Sequence, residues 1–112
     1  MNELVFQRKR CEAVKVYITN ENGNFYDLQI GEWFVFGVKK TEADTSYSIN
    51  KEITANDKVV GENESYYLLT LSSTETNIPA GYYHYDIVLQ DANEKYPCVR
   101  YGDCVITRAV VE

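Results

Sequence analysis

The sequence predicts an all-β domain, a β-sandwich or small barrel, on three observations. Apolar and polar residues alternate at period two along most of the chain, turn-forming residues recur about every ten positions, and no stretch has the period of an amphipathic helix. At 112 residues the chain has the length of one domain, 1–112, with one core.

In "AVKVYIT", Val14, Val16 and Ile18 share one face and Lys15, Tyr17 and Thr19 the other. "NENGN" supplies Asn and Gly for a turn, and "FYDLQI" resumes an extended stretch. In "WFVFGVK", Phe34, Phe36 and Val38 point inward, with Trp33 and Val35 outward or toward a partner. Tyr47, Ile49 and Ile53 share a parity that Lys51 interrupts, and "TANDKVVGENES" reads as a long hairpin connection around a short extended piece. "YYLLTL" places Tyr67, Leu69 and Leu71 on one face. Ser72 and Glu75 have capping-box spacing, which closes one helical turn before Pro79 and Gly81 end it. In "YYHYDIVLQ", Tyr83, Tyr85, Ile87 and Leu89 face inward and His84, Asp86 and Gln90 outward. After a turn at "DANEK", "YPCVRYGDCVITRAVV" gives the last strand or two. Pro97, lacking an amide proton, is expected at an edge or bulge, and Gly102 at a kink or bulge.

The composition, 45% hydrophobic and 25% charged, is that of a folded globular chain. No apolar run approaches the roughly 18 residues of a membrane helix, so no membrane partner is expected. The start "MNELVFQRKR" lacks the long apolar core of a signal peptide, which implies synthesis in the cytoplasm. Net charge is −6, from 11 basic and 17 acidic residues, and the one basic cluster, "QRKR", is too small to make a nucleic-acid face.

Little of the sequence points to catalysis or to a cofactor. Cys11, Cys98 and Cys104 fit no zinc spacing and are expected as reduced thiols. The single histidine, His84, cannot build a histidine-rich metal site; as the base for a cysteine nucleophile it would need Cys98 or Cys104 across the sheet. Asp86, Asp91 and Glu94 read as solvated acids on a strand surface and in a turn. No enzyme activity, cofactor or metal is therefore expected. The ten tyrosines are the conspicuous feature. Tyr17, Trp33, Tyr66 and Tyr82 take outward parity, which suits cross-strand pairing, a protein interface or a sugar-binding platform.

"IPAGYYHYD" joins a helical turn, a Pro-x-Gly corner and alternating aromatics. Tyr83 is placed to bond back to nearby backbone, as the corner tyrosine of many β-sandwiches does. The segment "LTLSSTETNIPAGYYHYDIVLQDANEKYPCVRYGDCVIT" resembles one found in phage and prophage tail or baseplate proteins. The matching positions are Leu71, Ser72, Glu75, Thr76, Ile78, Pro79, Gly81, Tyr83, Tyr85, Asp86 and Ile87, then Gly102, Cys104 and Ile106. The resemblance covers roughly residues 13–107 and extends to the amino-terminal domain of baseplate upper proteins. It implies an immunoglobulin-like sandwich with about seven or eight antiparallel strands and at most one short helical turn. Ile78, Pro79, Gly81, Tyr83, Tyr85 and Asp86 would be its fold-determining corner. It also implies a non-enzymatic structural role in a virion, with partners among other virion proteins and copies of the chain itself. The competing expectation is an immunoglobulin-like carbohydrate or cell-surface binding module.

Overall fold

A computed structural model describes residues 3–41, 44, 46–92 and 95–108, with backbone alone at 95–99. The chain is all-β, two sheets packed as a sandwich. Its strands are β1 (Leu4–Gln7), β2 (Glu12–Val16), β3 (Glu32–Lys39), β4 (Ile49–Ile53), β5 (Lys58–Val60), β6 (Ser65–Leu71), β7 (Gly81–Asp91) and β8 (Lys95–Thr107). One sheet has the order β1-β8-β7-β3-β4 and the other β2-β6-β5. The first strand thus lies beside the last, and the second lies in the opposite sheet.

The period-two faces meet in the middle. Phe34, Phe36 and Val38 of β3, Tyr83, Tyr85 and Ile87 of β7, and Tyr67, Leu69 and Leu71 of β6 are all buried in one cluster with Val16, Ile18, Cys104 and Ile106. Val14 and Leu89 pack against that cluster while only partly buried. Lys51 interrupts the pattern because it lies on the edge strand β4. Its stem runs along the inner face and its ammonium reaches Glu75 at 3.3 Å, so the charge escapes the core.

Four expectations change. The pairing is not antiparallel throughout: β1 runs parallel to β8, with Leu4 opposite Cys104 and Phe6 opposite Ile106. These strands come from opposite ends of the described chain, so no tight turn imposes a direction. Between β1 and β2 the chain changes sheets at a turn where Lys9 takes φ 60°. Gly102 sits in continuous register opposite Tyr85. The β7–β8 irregularities fall instead between Ile87 and Val88 and between Val88 and Gln90, on either side of the Val88–Cys98 pair, toward the Pro97 end. "FYDLQI" makes only an isolated Thr19–Phe25 bridge, although Phe25 stacks on Tyr67 and Leu28 is buried. Finally, the short helix among the described residues is a 3-10 turn at Ala55–Asp57 and not at Ser72–Glu75, closed by a capping box of Thr54 and Asp57.

The Ser72–Glu75 capping box forms as well, around a hydrogen-bonded turn. The Ser72 N–H donates to the Glu75 carboxylate at 2.9 Å, the Glu75 N–H donates to Ser72 Oγ at 3.1 Å, and the Thr76 N–H reaches the Ser72 carbonyl. The backbone bond from Ser72, and then Lys51, hold the Glu75 carboxyl below its ordinary value of 4.5. A depressed carboxyl contributes stability above the unfolded value and loses it as pH falls through the folded one. Between pH 7 and pH 3, Glu75→Gln is therefore expected to lose less unfolding free energy in urea than the unsubstituted chain. Equal losses would show that the capping carboxylate adds nothing to acid sensitivity.

Candidate functional site

The β6–β7 corner is built as its residues require. Gly81 takes φ +150°, outside the comfortable range of other residues, and opens β7. Two residues on, the Tyr83 hydroxyl donates to the Pro79 carbonyl at 2.6 Å, while Lys40 Nζ lies 4.7 Å from the Tyr83 ring centre. Ile78 packs on the core, Tyr85 is buried within it, and Asp86 turns to the outer face. Thr76 ties the corner to the β1–β2 turn. Wholly buried, its hydroxyl donates to the Arg10 carbonyl at 2.7 Å and accepts from the Arg10 N–H at 3.1 Å; Arg8 Nε donates to the Ile78 carbonyl.

The four outward aromatics do not form one patch. Tyr17 and Tyr66 touch on the outside of the three-stranded sheet, ring centres 5.8 Å apart. There the Glu64 carboxylate accepts from Lys15 Nζ at 2.8 Å and from the Tyr17 hydroxyl at 2.9 Å. These bonds lower Glu64 and raise both Lys15 and Tyr17. The cluster is thus internally satisfied. Trp33 and Tyr82 lie on the other sheet, at opposite ends of it. Trp33 is half-buried opposite Gln90, and Tyr82 is opposite Val105 at 76% exposure.

The outer face of the five-stranded sheet carries the richer constellation. A trough of about 590 Å³ there is lined by Tyr47, Lys39, His84, Asp86, Tyr101 and Asp103, among others. Gly37 makes room for it: a β-carbon there would come within 2.3 Å of the Tyr47 ring, so the ring lies directly on the strand. Lys39 Nζ sits 4.7 Å from the centre of that ring. His84 Nδ1 and Asp103 Oδ1 are 3.4 Å apart and both side chains are exposed. Tyr101, 74% exposed, stands beside Asp86 across β7 and β8. Strand parity groups Tyr47 with Ile49 and Ile53, but those two are buried in the core while Tyr47 precedes β4 and lays its ring on the outer face. Lys39, Tyr101 and Asp103 are not singled out by the sequence. With the bulges assigned before Arg100, the buried Cys104 and Ile106 would have given Tyr101, Asp103 and Val105 outward parity.

The cysteine–histidine pairing fails for Cys104. That thiol is buried on the inner face and burial pushes it up to about 12, whereas His84 projects from the outer face. Cys11 is exposed, and the Cys98 side chain lies outside the described atoms, as does Glu94. Among the described residues no group of three or more His, Cys, Asp or Glu is placed to hold a metal ion, and no helix is long and apolar enough to cross a membrane. Compared with protein families, curated proteins and solved structures, the chain matches none of them.

Proposed function

We propose that this chain is a non-enzymatic structural component of a phage or prophage virion, in the tail or baseplate, acting by packing against other virion proteins and copies of itself. The observation that carries the assembly role is the outer face of the five-stranded sheet. Val5, Tyr82 and Tyr101 stand there at 56%, 76% and 74% exposure on a hydrogen-bonded sheet. Large rings on a rigid scaffold bury much area for little lost rotamer entropy, which suits an assembly contact. The virion setting rests on the resemblance of the corner segment, whose residues Ile78, Pro79, Gly81 and Tyr83 build a tight, hydrogen-bonded turn here. The chain would be made in the bacterial cytoplasm and end in the particle.

The trough between Tyr47 and Tyr101 favours a second reading, a carbohydrate or cell-surface binding module, because aromatic rings beside carboxylates suit a sugar. Two measurements separate these. Mass spectrometry of particles purified after prophage induction should find this chain among the tail proteins. Its presence only in the soluble lysate would overturn the virion reading. A glycan-array signal abolished by Tyr101→Ala would favour the module instead.

A further inference from the structure

We infer that the outer face of the five-stranded sheet is a self-complementary docking surface for a second copy of this chain, related by a twofold axis running along the strands between β7 and β8. The inference rests on the assembly reading above and gives it a partner and a register.

Tyr82 lies opposite Val105, His84 opposite Asp103 and Asp86 opposite Tyr101. A twofold axis along the line between the two strands lays β7 of one copy over β8 of the other. Each residue then meets its own cross-strand neighbour in the second copy, as isologous contacts require. Tyr82 covers the second copy's Val105, an apolar contact. His84 meets the second copy's Asp103, and Tyr101 can donate its hydroxyl to the second copy's Asp86 carboxylate.

One strand farther out the same rule holds. Lys39 pairs with His84 from β3, and Leu4 pairs with Cys104, so Glu3 falls in the row of Asp103. The row therefore reads Glu3, just before β1, then Asp103, His84 and Lys39 on β8, β7 and β3, acidic on one side of the axis and basic on the other. The twofold lays the acidic half over the basic half, so Lys39 faces the second copy's Glu3. Among the described residues of these rows, none faces a like charge.

Four strands, β1, β8, β7 and β3, overlap across this axis, with β4 outside it. Spaced about 4.8 Å apart and up to roughly eight residues long, they present on the order of 500 Å² per copy, the size of a weak, reversible contact.

The test reverses each half separately. Glu3→Lys/Asp103→Lys makes the row uniformly basic, and Lys39→Glu/His84→Glu makes it uniformly acidic. Sedimentation at about 0.15 M salt, where charges beyond about 8 Å are screened, should show a dimer for the unsubstituted chain and at least tenfold weaker association for each variant alone. An equimolar mixture of the two variants should recover a one-to-one dimer, which also shows that both fold. As a control, Lys15→Glu/Glu64→Lys on the three-stranded sheet should associate like the unsubstituted chain. The proposal is overturned by a monomeric unsubstituted chain, by variants that associate normally, by an equally weakened control, or by a mixture that stays monomeric. A monomer would assign this face to a different virion protein or to a sugar. The particle composition tests the virion reading independently of that outcome.

Discussion

Ile87→Asp is expected to leave no folded protein. Ile87 is 1% exposed, near the middle of β7, with Phe36 opposite it on β3. Removing an isoleucine side chain from such a site costs about 2–5 kcal/mol, and an unpaired carboxylate in its place adds a desolvation penalty of several kcal/mol more. Together these match the whole stability of a domain this size, about 5–15 kcal/mol. Gln90→Asp lies three residues along the same strand but on the outer face, opposite Trp33, and is expected to shift stability by less than about 1 kcal/mol. Circular dichroism and urea unfolding of both variants check the contrast. Equal tolerance would place the β7 faces the wrong way round.

Tyr67→Ala should be the most damaging truncation that still permits unfolding to be measured. Tyr67 is wholly buried, with its ring 5.2 Å from those of both Phe25 and Phe34. Its hydroxyl accepts from the Leu28 N–H at 2.9 Å and donates to the Tyr26 carbonyl at 2.8 Å, fastening the segment between β2 and β3 to the core. Losing the ring is expected to cost about 3–5 kcal/mol. Tyr67→Phe keeps the ring but leaves the Leu28 N–H without this acceptor, at about 1–3 kcal/mol. If Tyr67→Phe were silent in urea unfolding, the fastening role would be wrong while the packing role stood.

The core was legible because burial in a sandwich follows strand parity. Phe34, Phe36, Val38, Tyr67, Leu69, Leu71, Tyr83, Tyr85 and Ile87 each alternate within one strand, and all are buried. The corner was legible because Pro79, Gly81 and Tyr83 are local in sequence. What escaped was set by tertiary pairing. The partners of β1, the offset of β8 beyond Val88, and the meeting of Lys39, His84 and Asp103 across three strands depend on register between distant segments. Parity marked Tyr17, Trp33, Tyr66 and Tyr82 as outward but could not say which sheet each decorates. Two went to a cluster satisfied by Glu64, and Trp33 is half-buried beside Gln90. Tyr47 was hidden for another reason: its place over the bare backbone of Gly37 is a loop-to-strand contact with no periodic signature.

We propose that this chain works through one face, the outside of the five-stranded sheet. Amide nuclear magnetic resonance spectra over a hundredfold range of protein concentration test it most directly, residue by residue. The account predicts concentration-dependent shifts at Lys39, Tyr82, His84, Tyr101, Asp103 and Val105, with Lys15, Tyr17 and Tyr66 unmoved. Shifts centred on Tyr17 and Tyr66, or none at any concentration, would contradict it.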